Sequence, residues 1–451
     1  MEENGKTDHQ EGNGETDQPS YLITIKEMED KIKETPKILN HTAGKESCCI
    51  FRAPPHLVQI NEKAYHPQIL SIGPYHHGKP HLNMIEELKW KYLGQLLDRT
   101  PPNGLKLDGY LKLIAPMENK IRDCYSEVIP FNGSDLIKIM VLDGLFIIEL
   151  ISKSQGLAPL AEGDPIFNMD WICIFLDRDL LRLENQIPFF VLQTLFENTR
   201  VTRRSGGDDQ SLAKLFLAYM NNVMRRPDEV LKRIGNVEGK HLLDLFRLSF
   251  IPTSPQQKPR NKHVQLIPSV EKLDAAGIKF KATKCDTFLE IRFRNRVLEI
   301  PHIGMDDLTT LFFLNSVAFE QCYSNYCSNH MTAYTIFMSL LIKNPIDVGF
   351  LYDREIMENF IGTETEMVQF FDDMGKEVVY DYADNYLSKV AEDVNEYRRK
   401  GWHVQWAGFK HTYFNTPWAF ISALAAFILL LLTIIQAFFA VYPYAGGKRI
   451  G

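Results

Sequence analysis

Between His411 and Lys448 the chain has no Asp, Glu, Lys or Arg. Other absences narrow its class. The first twenty residues hold six acids against one Lys and no apolar run, so they lack the basic and hydrophobic regions of a secretory signal. Residues 1–20 read instead as a disordered acidic tail. The basic residues are scattered and the net charge is −7, which excludes the dense positive stripe that nucleic acid requires. The cysteines number only seven, an odd count, and stand mostly in apolar segments; that excludes the framework of a small disulfide-stapled domain and points to reduced thiols. There is no Gly-rich phosphate loop ending in Lys-Ser/Thr, no Gly-x-Ser-x-Gly elbow, no HExxH helix and no kinase motif set. GNVEGKH (235–241) has the wrong glycine spacing and no hydroxyl after Lys240. No repeat at solenoid spacing occurs.

The charge-free stretch is also the most apolar one. Trp418 to Tyr442 would be about 37 Å long at the helical rise, more than the hydrocarbon thickness of about 30 Å. It is apolar on every face apart from Ser422, Thr433 and Gln436, whereas a surface helix of a globular domain shows a polar side. Trp418 and Tyr442 stand where headgroups would lie, and Phe427, Leu430, Ile434 and Phe438 lie between them. The stretch 417–442 is therefore expected to be a single transmembrane helix, followed by a short tail, 443–451. Before it, Trp402, Trp406, Phe409 and Tyr413 recur at spacings that would form one aromatic face in a juxtamembrane segment, 401–416. That face suits either the membrane surface or the globular domain. Arg398, Arg399, Lys400 and Lys410 precede the span and only Lys448 and Arg449 follow it, which favours a cytosolic globular part.

The remainder reads as mainly α with a small β component. HLNMIEELKWKYLGQLLDR (81–99) places Leu82, Ile85, Leu88, Tyr92 and Leu96 on one side of a helix. SDLIKIMVLDGLFIIELI (134–151) is more uniformly apolar and reads as a central helix. DDQSLAKLFLAYMNNVM (208–224) carries acids in its expected first turn. The polar, Pro-containing run SPQQKPRNK (254–262) marks a loop or hinge, 252–266, between an N-terminal helical lobe, 21–251, and an α+β lobe, 267–400. Within the second lobe IKFKA and FLEIRFRNRVLEI alternate and predict a small antiparallel sheet near 278–300, with a hairpin turn at Asn295. Helices are expected from 305 to 323, from 331 to 343 and onward to Arg399.

Six segments carry a family resemblance: PPHLVQINEKAYHPQILSIGPYHHG (54–78), EELKWKYL (86–93), MVLDGLFIIELI (140–151), DLLRLENQIPFFVL (179–192), LEIPHIGMDDLTTLFFLNSVAFEQC (298–322) and the terminal apolar run. In this order they resemble the plant domain-of-unknown-function 247 family, over about Cys48 to Tyr442. The resemblance implies a single-pass membrane protein of land plants without established enzymatic activity, and points to recognition rather than catalysis. It supplies no catalytic residues.

Two polar clusters are candidate sites. YHPQILSIGPYHHGKPHL (65–82) sets His66, His76, His77 and His81 among prolines and glycines. Imidazoles on such a loop can bind zinc, but a structural site wants four ligands and no Cys pair with finger spacing lies near; backbone hydrogen bonding is the plainer expectation. In DRDLLRLENQIPFF (177–190), Asp179, Glu184, Asn185 and Gln186 interrupt an apolar helix. Buried polar groups need partners, so Glu184 and Asn185 are expected to bond backbone where the helix ends before Pro188. The alternative pairs Glu184 with Asp143 or Glu149 for acid/base work or a hard cation. Cys322 and Cys327, in CYSNYC, are expected to be reduced thiols.

The resulting expectation is a membrane-anchored module that binds a protein partner, with the bilayer as second partner, no nucleic acid and no cofactor. A membrane-surface enzyme is the rival. Under the opposite topology, Asn40 (in NHT) and Asn132 (in NGS) become glycan acceptors.

Overall fold

A computed structural model of the 451-residue chain describes residues 20–33, 38–102, 104–199, 211–222, 224, 226–234, 237–252, 266–399 and 417–446. Residues 1–19 of the expected acidic tail and most of the expected hinge therefore lie outside the described residues, as does the aromatic segment 401–416.

The helix Gly133–Ser154 runs through the middle of the fold. Asn132 caps it by accepting from the Asp135 N–H at 2.9 Å, and from Leu136 to Lys153 nearly every side chain is buried, as its all-round apolar sequence demands. The Asn83–Arg99 helix packs on it through Ile85, Tyr92, Leu93 and Leu96. Lys89 is buried on that face as well, which the sequence pattern did not indicate. Phe189–Thr199 packs against another side of the central helix. The Leu212–Tyr219 helix starts later than its sequence suggested: Ser211 caps it, accepting from the Lys214 N–H, and Asp208 and Asp209 lie outside the described residues.

The second half supplies the helices Asp307–Cys322 and His330–Leu341, both buried over most of their length. One continuous apolar core extends from Cys48 to Val394. Across the 252–266 segment, the Phe250 ring lies 5.1 Å from that of Phe288 and 5.5 Å from that of Phe312.

The sheet near 278–300 is mixed rather than antiparallel. Strands β1 (Lys279–Thr283), β2 (Arg292–Arg294) and β3 (Val297–Pro301) are ordered β1-β3-β2. β2 and β3 form the expected antiparallel hairpin, with Asn295 and Arg296 both at positive φ, the backbone of a two-residue turn whose twist matches the strands. β1, however, pairs with β3 in parallel. Phe288, Leu289 and Ile291 in its connection to β2 are buried and carry the chain across the sheet, and a crossover of this kind delivers a parallel neighbour. A second parallel pair, β4 (Ile303–Met305) with β5 (Met357–Asn359), was not anticipated. Three-residue strands are too short to show a period of two.

The chain ends in a helix, Pro417–Gly446. Its side chains are described at 421, 422 and 424–439, and all are exposed, among them Phe427, Leu430, Ile434 and Phe438. Trp418 and Tyr442 have side chains outside the described residues. At the helical rise, 424–439 spans about 24 Å, short of a hydrocarbon core of about 30 Å. Among the described residues no helix is long and apolar enough to cross a membrane.

Candidate functional site

The two polar clusters meet. Residues 68–73 lie outside any helix or sheet, and side chains supply the hydrogen bonds that a neighbouring strand would give. The Asp179 carboxylate accepts the N–H groups of Gln68, Ile69 and Leu70 at 3.0, 2.8 and 2.9 Å. Asn185 Oδ1 accepts from the Ile72 N–H at 2.7 Å while its Nδ2 donates to the Leu70 carbonyl at 2.9 Å. Asp143 Oδ2 accepts from the Gly73 N–H at 2.8 Å, and Lys89 donates to the Ser71 carbonyl. These bonds offset the cost of burying the segment's backbone groups away from water. Gly73 is required here: its φ is +75°, and a Cβ would stand 2.5 Å from the Gln186 carbonyl oxygen.

Glu184 closes the other end. Its carboxylate accepts from Arg52 Nη1 at 2.7 Å, the Ala53 N–H at 3.0 Å and His76 Nε2 at 3.0 Å. Burial alone would raise its pKa, but the bonds from His76, Arg52 and Ala53 outweigh that and hold it at about 2. Lys79 donates to His76 Nδ1 at 2.8 Å, so His76 is a neutral imidazole whose Nε2–H faces the carboxylate. Burial lowers its pKa, against the opposing bond to Glu184. Both ring nitrogens are engaged and the side chain is closed to solvent, which leaves no free base for a substrate.

Of the other histidines, His66 lies edge-on to His76 with ring centroids 5.8 Å apart, while His77 and His81 are held elsewhere. His66 faces Glu62 at 3.6 Å, and His81 Nε2 lies 3.3 Å from the Pro67 carbonyl. His77 stands edge-on to Phe131, and its Nδ1 makes no hydrogen bond. The alternative carboxylate pair is also not assembled. Asp143 is paired with Lys89 at 2.6 Å and Glu149 with Arg99 at 2.8 Å. Among the described residues, no group of three or more His, Cys, Asp or Glu side chains is placed to hold a metal ion. All seven cysteines are free; burial pushes the thiols of Cys322 and Cys327 up to about 12.

Sequence reasoning missed Arg52, Lys89, His241 and Asn315. Asn315, on the Asp307–Cys322 helix, accepts from the Leu183 N–H at 2.8 Å and donates to the Ala64 carbonyl at 2.9 Å, tying the clamp that Asp143, Asp179 and Asn185 form on residues 68–73 to the second half of the chain. His241 caps the Leu242–Leu248 helix: Nδ1 accepts from the Asp244 N–H at 3.2 Å, and Nε2 lies 3.1 Å from the Cys49 carbonyl. Arg247 on the same helix bonds Asp244 and Glu320. A capping His before an apolar turn was the one local signal available; the partners named for Arg52, Lys89 and Asn315 lie 18 to 251 residues away.

Together these contacts define a helical scaffold whose buried polar residues lace loops to helices. The model of the DUF247 family, described as a plant protein of unknown function, matches residues 50–432. The chain belongs to this family. It is 39% identical over 438 residues to UPF0481 protein At3g47200 of Arabidopsis thaliana, covering 92% of this chain and 90% of the relative. It is also 24% identical over 524 residues to the Putative UPF0481 protein At3g02645 of Arabidopsis thaliana, covering 94% and 95%. No solved structure matches.

Proposed function

We propose that this protein is a membrane-anchored recognition module of plant cells, with the Pro417–Gly446 helix as anchor and the globular part as a rigid platform for a protein partner on the cytosolic side. The observation that carries the reading is the terminal helix itself. It holds 30 residues, no acidic or basic side chain, and a described apolar surface that is exposed throughout. Leaving so much apolar surface in water is costly, at about 25 cal/mol per Å², and lipid removes that cost. An anchor also confines the platform to a surface and raises the effective concentration of partners there.

Binding is favoured over catalysis because Glu184, Asp179, Asn185 and His76 spend their hydrogen-bonding capacity inside the fold. On the outside, Met169, Trp171 and Ile174 are exposed at the start of one helix, the residue types that anchor protein contacts.

The test is fractionation of a plant lysate containing the full chain. The protein should sediment with membranes, resist alkaline extraction and be released by detergent; recovery in the detergent-free supernatant would overturn the anchor. Proximity labelling from the globular part should then return cytosolic neighbours.

A further inference from the structure

Beside the clamp, three elements enclose a cleft of about 260 Å³. Asn61 and Lys63 come from the turn around Glu62–Ala64, Arg178 and Arg182 from the end of the Asp170–Leu180 helix, and Asp307 and Thr310 from the first turn of the Asp307–Cys322 helix. From this arrangement we infer that the cleft binds a phosphate monoester group.

The lining carries three cations against one carboxylate. Lys63 is exposed at the rim, and the neighbouring Glu62 turns away to His66. Arg182 is almost wholly buried; it donates from Nε to Asp179 Oδ1 at 2.7 Å and from Nη1 to the Lys63 carbonyl. Arg178 Nη2 donates to Asp307 Oδ2 at 3.0 Å, but its Nε is buried without any hydrogen-bond partner.

Charge decides between oxyanions. The lining keeps two positive charges in excess of Asp307, and one when Asp179 behind Arg182 is counted as well. A lone carboxylate needs only one guanidinium fork, whereas a phosphate monoester carries about −1.5 to −2 at neutral pH and offers three acceptor oxygens. The volume admits the phosphate with a small organic remainder. A soluble phosphorylated metabolite and a phosphorylated lipid headgroup share this chemistry. The inference does not depend on the anchor.

The test uses the full chain in detergent micelles, with thermal unfolding followed at constant ionic strength. Inorganic phosphate should raise the unfolding temperature saturably where chloride does not. Lys63→Gln and Arg178→Gln should each weaken the apparent affinity about tenfold, the loss of one charge-assisted bond. Asp307→Asn should strengthen it, a direction that a purely structural role would not produce. Glycerol phosphate and micelles doped with a phosphatidylinositol monophosphate separate the two sources, and a response to either upholds the site. Equal effects of phosphate and chloride, or a phosphate response unchanged by Lys63→Gln and Asp307→Asn, would overturn it.

Discussion

Arg52 Nη1 donates to Glu184 Oε2 at 2.7 Å across 132 residues of sequence, and the same oxygen receives His76 Nε2 at 3.0 Å. The carboxylate is 4% exposed, so the pair is a structural link between the start of the folded region and the loop after the Asp170–Leu180 helix. Truncating one member of a buried pair leaves the other charge uncompensated. Arg52→Ala strands the buried Glu184 carboxylate without its cation and should therefore cost about 3–5 kcal/mol in denaturant unfolding. Arg52, about a third exposed, can rehydrate when its partner is removed, so Glu184→Ala should cost clearly less. Equal losses would mean that Glu184 acts chiefly through something other than burial of its charge.

Two glycines of the histidine loop should respond differently to alanine. Gly73 and Gly78 both have positive φ, but a Cβ at Gly73 would collide with the Gln186 carbonyl, whereas one at Gly78 meets nothing within 4 Å. Gly78→Ala should cost about 1 kcal/mol from backbone conformation alone. Gly73→Ala adds the collision and should cost at least about 3 kcal/mol, since the clamp must move. Comparing the two urea midpoints checks this, with the loop's own rigidity as the shared background.

Acid should destabilise the protein in two stages. Burial lowers the His241 pKa from 6.5 to about 4. A base whose folded pKa is depressed binds more protons when unfolded, so its contribution is intact above 6.5 and is lost as pH falls to about 4. The loss is on the order of 3 kcal/mol. Glu184, held at about 2 against an ordinary 4.5, is likewise depressed; its contribution is present above 4.5 and is lost between there and about 2. Unfolding free energy measured from pH 7 downward should decline first through the histidine window. His241→Asn retains a capping acceptor and should flatten that first decline. An unchanged slope would remove His241 as its source.

The central helix, the terminal helix and the β2–β3 hairpin could be read from the sequence because each announces itself locally. Gly133–Ser154 is apolar all round, Pro417–Gly446 lacks charge, and alternation surrounds Asn295. The parallel placement of β1 could not, since it depends on where the 284–291 connection buries Phe288 and Leu289. At the clamp, the polar residues of LENQ stood out against their apolar setting, and Asn185 bonds backbone at the distant Leu70 and Ile72 as well as at Asp179 near the helix end. Glu184 bonds one backbone N–H and two side chains. Its partners were hidden because a sequence does not show which distant Arg or His a buried carboxylate will find. Lys89 misled for the opposite reason: it reads as a solvated charge on an amphipathic helix until Asp143 and the Ser71 carbonyl are placed against it.

Orientation and anchoring can be tested on the same chain. The Asn132 amide donates only to the neighbouring, exposed Asp135 carboxylate at 2.8 Å, and Asn132 and Ser134 are both exposed, whereas Asn40 donates to the Arg122 carbonyl at 2.8 Å and Thr42 is 3% exposed with its hydroxyl on the Asp123 carbonyl. A globular part outside the cytosol should therefore acquire one glycan, at Asn132, and lose it in Asn132→Gln. The cytosolic orientation proposed above requires no glycosidase-sensitive shift at all. Independently, a charge in the middle of the terminal helix opposes insertion by about 2.5–3.5 kcal/mol. Leu430→Arg combined with Ile434→Arg should move the protein from the membrane pellet toward the supernatant, while Ser422→Ala, near one end and already polar, should leave it sedimenting. If the double variant still pellets and resists alkaline extraction, the chain is held at the membrane by a surface other than this helix.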